Sequence, residues 1–287
     1  MHHVFFNGVD HFLNASVYVT LLSIRFGLAL MPILQGVSMP TWAKSLLVIS
    51  LALLGSTETR VIGINWIDAP DLIIHWALKE LFAGFSLGMG VMLALHSISM
   101  AGSLLDVQIG FGMARIFDVT GNRSSPLLGA AFNLVGMLVF LLLDMHLMVL
   151  RALAQSLHVF PVGQDWMRPN FMEGVPHLIG TFFALGFALA APLVLVIFLF
   201  DLFLAILARN LPQMNMLVFG FPLKIIVGLI FLSIWSGAMG GAIERIYSEL
   251  LRHWFNSLVG AESFVTGVRA GQRLASVNME ESGYGRP

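Results

Sequence analysis

The chain is 287 residues long, 57% hydrophobic and only 11% charged, with a net charge of −1 and no cysteine. Soluble domains carry about 25% charged residues, so a solvated globule is excluded and a membrane protein, or a membrane-embedded subunit of a complex, is implied. The near-zero charge offers no field for nucleic acid or a cationic partner, and without cysteine there are no disulfides, thiolate metal sites or cysteine nucleophiles.

The N-terminal MHHVFFNGVDHFLN has neither the basic region nor the small-residue cleavage site of a signal peptide, so its first apolar run is expected to be retained. Phe12 to Leu34 is long enough to cross a hydrocarbon core of ~30 Å, with Arg25 inside it and Pro32 closing it. Ser45 to Leu54 is short for a span and reads as a half-helix or packed hairpin arm. The polar connector Glu58 to Asp71 leads into a long helical run, Leu72 to Met100, with Lys79 and Glu80 near its start. Gly84, Gly88 and Gly90 give this run a small-residue face, which lets helices approach closely.

Gly102 to Pro126, GSLLDVQIGFGMARIFDVTGNRSSP, is the stretch around which the other segments are expected to be arranged. Gly110 and Gly112 interrupt near-helical hydrophobic spacing, and each glycine costs a helix roughly 1 kcal/mol relative to alanine. Asp106, Arg115 and Asp118 add charge where the flanking segments have almost none. Irregular backbone at membrane depth survives only when buried in protein or lining a water-filled cavity, so the stretch reads as a re-entrant or constriction-forming loop. Ile109, Phe111, Met113, Ile116 and Phe117 supply bulk for a seal, the two glycines supply hinges, and the charged residues supply latches. A static kinked helix filling a subunit contact is the competing reading.

Leu127 to Leu143 is another span, extended past Asp144 and His146 towards Phe160. Pro161 to Pro176 is the clearest loop and the best boundary. His177 to Leu207 and Met214 to Ile243 are long apolar arms joined by the short turn ARNLPQMN, an antiparallel helical hairpin. Charge returns from Glu244, and the tail after Gly260 reads as soluble and partly disordered. Basic residues are too few and too mixed with acidic ones for the positive-inside rule to assign an orientation.

Arg25, Lys79, Glu80, Asp106, Asp144, Asp201 and Lys224 lie within or at the edges of apolar runs. An unpaired charge at the bilayer centre costs at least ~2.5–3.5 kcal/mol, so these residues must face protein, water or each other. They form a proton or ion pathway, or inter-helix or inter-subunit pairs, or mark helix ends where side chains snorkel. Gly84-Phe85-Ser86-Leu87-Gly88 matches the hydrolase pattern G-x-S-x-G but sits inside a helical run, without the strand and strained turn that pattern needs. The histidines show no metal-binding spacing, and Asp144 and Asp201 lack the glycine context of an intramembrane aspartyl protease. No catalytic residue, cofactor or metal site is assigned. The 16 methionines are adaptable packing, with a few available for a deformable seal.

The order of features resembles the export-gate family called FliR in flagella and SctT in virulence type III secretion. The matching pieces are the Arg25 segment ending in MPILQGVSMP, the glycine stretch AGSLLDVQIGFGMARIFDVTGNRSSPLLG, the span ending in LHVFPVG, and LARNLPQMNMLVFGFPLKIIVGL. The last is the most specific, through Pro212, Gln213, Asn215, Gly220, Phe221 and Pro222, and its GFP triplet is more similar to the flagellar branch. The likeness covers roughly residues 12 to 255. Where the family usually has Asp-Pro after the glycine stretch, this chain has Asp118 followed by Val119.

The resemblance implies an all-α membrane protein of long helical hairpins, packed in a helical, cone-like export-gate assembly. A FliP-like half over residues 1–170 would include a plug loop at about 102–126. A FliQ-like hairpin would follow over 171–255, then a soluble tail over 256–287. The plug, with Asp106, Ile109, Gly110, Phe111, Gly112, Met113, Arg115, Phe117 and Asp118, would help close the pore. Arg25, Lys79, Glu80, Asp201, Lys224 and the residues of the specific motif would make assembly or helix contacts. The implied partners are FliP-like and FliQ-like subunits, an FlhB-like wrap at the cytoplasmic entrance, an FlhA-like component, membrane lipid and the exported unfolded proteins. The place would be the bacterial inner membrane within the flagellar basal body, and the role non-enzymatic. A virulence injectisome subunit and a stand-alone secondary transporter or channel are the alternative readings.

Overall fold

The computed structural model describes the backbone of residues 2–35, 38–58, 70–111, 126–162, 169–210 and 216–281, and side chains within 14–35, 38–57, 73–111, 126–162, 175–210 and 219–254. All its elements there are helices: α1 His2–Gln35, α2 Thr41–Glu58, α3 Pro70–Ile109, α4 Leu127–Leu142, α5 Met145–Val159, α6 Pro169–Asn210 and α7 Met216–Glu281. Four are long and apolar enough to cross a membrane, and a fifth span is available if the bent pair α4–α5 is counted as one. With 40 residues, α3 is about 60 Å long at 1.5 Å per residue, twice the ~30 Å hydrocarbon thickness.

The centre of the molecule is α3, which packs against α1, α4, α6 and α7. Ala83, Val91, Ala94, Ile98, Ala101, Leu105 and Ile109 along it are fully buried. Towards α1 its face is Glu80, Gly84 and Gly88, one residue per turn. A methyl group on Gly84 would collide with the Arg25 carbonyl oxygen, and one on Gly88 with the carbonyl oxygen of Leu28. The two helices therefore run parallel with backbone against backbone, the geometry the small-residue face predicts.

The hairpin α6–α7 is antiparallel, as its cross-contacts show. Gly220 faces Leu204, Lys224 pairs with Asp201 at 2.8 Å, and the Trp235 indole N–H donates to the Leu189 carbonyl at 3.3 Å. The arm expected at 45–54 is an 18-residue helix laid antiparallel on α1, with Gly27 against Val48 and Gly55 against Leu22 and Phe26.

Several expectations change. Gly102 to Ile109 was expected to open an irregular loop but forms the last two turns of α3, because tertiary burial outweighs the small helix penalty of one glycine. The break comes at Gly110, whose φ of 101° and N–H bond to the Asp106 carbonyl make it a left-handed helix stop of the kind glycine permits. The span from Leu127 towards Phe160 is broken by a 66° bend at Asp144, in left-handed backbone with φ 52° and ψ 28°. Pro169 starts α6, so the latter half of the expected loop 161–176 is helical and the boundary at residue 170 falls in that helix's first turn. Proline suits a first helical position because its missing N–H has no partner there anyway. Finally, the backbone of α7 stays helical as far as Glu281.

Gly84→Ala and Gly88→Ala are each expected to cost about 1–3 kcal/mol through overpacking, seen as a lower unfolding temperature of the purified chain. Gly240→Ala, which meets nothing within 4 Å, is expected to be neutral or stabilising by up to about 1 kcal/mol from helix propensity.

Candidate functional site

Two groups of predicted residues are brought together. The first is built on Arg25, whose side chain is 2% exposed, and Glu80, at 1%. Arg25 Nε and Nη2 donate to the two carboxylate oxygens of Glu80 at 2.5 and 2.9 Å, a bidentate fork. Its Nη1 donates to the carbonyls of Phe160 at 3.0 Å and Ser156 at 3.3 Å. Phe160 caps the C-terminus of α5, and the Ser156 carbonyl, which already accepts the Phe160 N–H, takes the guanidinium as a second donor. One guanidinium thus joins α1, α3 and the C-terminus of α5. Arg25 and Glu80 pair with each other inside the chain, as a contact between α1 and α3.

The second group surrounds the end of α3. Ile109, fully buried, fills the notch at Gly228 of α7, and Gly110 lies under the ring of Phe221. Phe111 is half-buried against the same core. On the other side of the stretch, the Asp106 carboxylate accepts the Leu128 N–H at 3.2 Å. The residue preceding α4, Pro126, offers no side-chain cap, so Asp106 supplies one from α3. A carboxylate there satisfies an orphan N–H and meets the positive end of the helix dipole. The sequence suggested Asp106 as part of a breakable latch; it is fully buried and anchors α4.

Of the remaining candidates, Lys224 and Asp201 pair across the hairpin, Gly220 is buried against Leu204, and Pro222 is exposed. Lys79 is half-buried in the first part of α3. Gly112, Met113, Arg115, Phe117, Asp118, Pro212, Gln213 and Asn215 lie outside the described residues. Ser86 is 7% exposed in mid-helix, and the flanking glycines of its G-x-S-x-G pattern are those that seat α1. Sequence reasoning missed Tyr247, whose hydroxyl donates to the Gly136 carbonyl at 2.6 Å and whose ring meets Phe140 edge-on. Tyr247 stands among Glu244, Arg245, Glu249 and Arg252, and that charged setting hid the need of a buried tyrosine for a hydroxyl partner.

The architecture defines an all-helical, multi-pass membrane subunit built on a glycine-seamed central helix and an apolar hairpin. The chain matches the family described as bacterial export proteins, family 1, over residues 17–250, and it belongs to that family, in which its relatives are FliR proteins. It is 31% identical over 209 residues to the flagellar biosynthetic protein FliR of Bacillus subtilis (strain 168), covering 69% of this chain and 80% of the relative. The FliR of Escherichia coli (strain K12) is 26% identical over 174 residues, 61% of this chain and 67% of the relative. That of Aquifex aeolicus (strain VF5) is 34% identical over 161 residues, 55% and 60%.

Breaking the buried pair by Arg25→Met or Glu80→Met is expected to cost about 3–5 kcal/mol, and making both substitutions together less than the sum. Thermal unfolding of the three variants forms the cycle; strictly additive costs would deny the coupling. Asp106→Ala is expected to cost about 0.5–2 kcal/mol as a lost helix cap, checked the same way.

Proposed function

We propose that this chain is a subunit of the protein-conducting export gate of the flagellar type III secretion apparatus, passing unfolded flagellar proteins across the bacterial inner membrane. The family match and relatives named for flagellar biosynthesis support the export role and favour flagellum over injectisome. In this reading residues 1–170 act as a FliP-like half and 171–255 as a FliQ-like hairpin, assembled with FliP-like, FliQ-like, FlhB-like and FlhA-like proteins. The chain supplies no catalytic group.

The observation that carries the pore reading is the anchoring of the stretch at 110–126. Its start is pinned to the hairpin by Ile109 in the Gly228 notch and Gly110 under Phe221. Its end is pinned to α3 by Asp106 and Leu128. A stretch between two fixed anchors can close a conduit and move without unseating the helices, with Phe111, Gly112, Met113, Arg115, Phe117 and Asp118 as the plug and Ile109 and Gly110 as its fixed start. A stand-alone transporter of the repeated, broken-helix type gains little support, since both breaks fall in the first half and α6 and α7 run unbroken.

Deleting Gly110 to Arg115 is expected to make cells expressing the assembled complex leaky to small ions and solutes. Unchanged conductance with assembly intact would rule out the plug role.

A further inference from the structure

Between α1, α3 and α4 lies a cleft of about 310 Å³ whose polar lining is Gln35, His96, Ser99 and Asn133. None of the residues lining it is charged. Gln35, His96 and Asn133 are exposed, although α3 and α4 are otherwise apolar helices. The His96 Nδ1 lies 2.8 Å from the Met92 carbonyl. A carbonyl only accepts, so Nδ1 carries the proton and, in the neutral ring, Nε2 remains an open acceptor. The Ser99 hydroxyl donates to the Gly129 carbonyl at 3.3 Å, which leaves its lone pairs free. The cleft therefore presents an imidazole acceptor, two carboxamides and a hydroxyl oxygen.

Polar side chains within membrane helices face the bundle interior or a water-filled cavity. The outer face of the hairpin is the contrast: Phe198, Leu202, Phe203, Ile226, Ile230 and Ile234 are all more than half exposed, a surface suited to hydrocarbon. At a share of about 30 Å³ per molecule in the liquid, the cleft has room for several waters, each with polar groups to bind.

We infer that this cleft is a wetted wall of the export path, where the main chain of unfolded cargo makes brief hydrogen bonds in transit. The inference rests on the conduit reading above and adds which face of the chain meets the cargo. Unfolded cargoes differ in charge but share the amide group, which carboxamides and an imidazole bond equally in every sequence. The absence of charge among the lining residues suits passage, because a conduit must bind weakly enough to release, and neutral hydrogen bonds exchanged against water are worth only ~0.5–1.5 kcal/mol.

The natural chain has no cysteine, so single cysteines report without background. Asn133→Cys and Gln35→Cys replace exposed side chains; Leu202→Cys and Ile230→Cys serve as hairpin controls. In membranes holding the assembled complex, a charged, water-soluble thiol reagent is applied with and without a cargo stalled in transit. A thiol in apolar surroundings has its pKa raised, and each unit removes tenfold of the reactive thiolate, so the cleft cysteines are expected to react about tenfold or more faster than the controls. The stalled cargo is expected to slow them severalfold. Cleft cysteines no faster than the controls, in a complex that assembles and exports, would overturn the inference while leaving the conduit reading standing. Fast labelling that the cargo does not slow would overturn it as well. Failure of the conduit reading shows separately, as export of flagellar proteins that continues in cells lacking this chain.

Discussion

The fold depends on one buried ion pair and the seam that lets it form. Taking a guanidinium and a carboxylate out of water costs several kcal/mol each, recovered only with close geometry and satisfied hydrogen bonds. Arg25 meets that demand with a bidentate fork to Glu80 and two carbonyls at the end of α5. The fork exists because Gly84 and Gly88 bring the α1 backbone onto α3. Side chains on a helix tilt towards its N-terminus. Arg25, with its backbone level with Gly84 of a parallel neighbour, therefore reaches back one turn to Glu80. The glycines and the charges are one device, and a larger residue in the seam moves both partners apart.

From that fixed pair outward, α3 distributes position to the rest of the chain. Its C-terminal turns hold α4 through Asp106 and α7 through Ile109. Tyr247 of α7 then bonds the Gly136 carbonyl of α4, so α3, α4 and α7 close into a three-sided unit. The stretch after Gly110 starts and finishes on this unit.

Much of this was legible in the residues, and the failures have physical causes. The seam at Gly84 and Gly88 and the hairpin were readable because both follow from spacing and composition alone, whereas Gly90, expected on the same face, meets Leu250 and Trp254 of α7. The helical character of Gly102 to Ile109 was not, because isolated glycine counts against a helix locally while burial of Leu105 and Ile109 decides globally. The bend at Asp144 was hidden because no glycine or proline marks it. Aspartate tolerates left-handed backbone better than most residues, a signal too weak to read against an apolar background. Seven charges in apolar runs were visible in the residues, but not their pairing. Only the parallel packing of α1 and α3 selects Glu80 for Arg25.

The hairpin poses a different problem, because little of it is buried within the chain. The spans at 175–210 and 219–254 have 22% and 11% of their most apolar windows buried, against 61% for that in α3. Such helices are completed by lipid or by the apolar faces of neighbours. In hydrocarbon the hydrophobic effect no longer holds two apolar helices together, and nothing in a run of leucine and isoleucine stops them sliding. Directional contacts must set the register, and two do. Lys224 with Asp201 and Trp235 with the Leu189 carbonyl fit a single antiparallel alignment, in which Gly220 also packs on Leu204. That alignment places Phe221 over Gly110, so the contact holding the hairpin in step also fixes where the interrupted stretch begins.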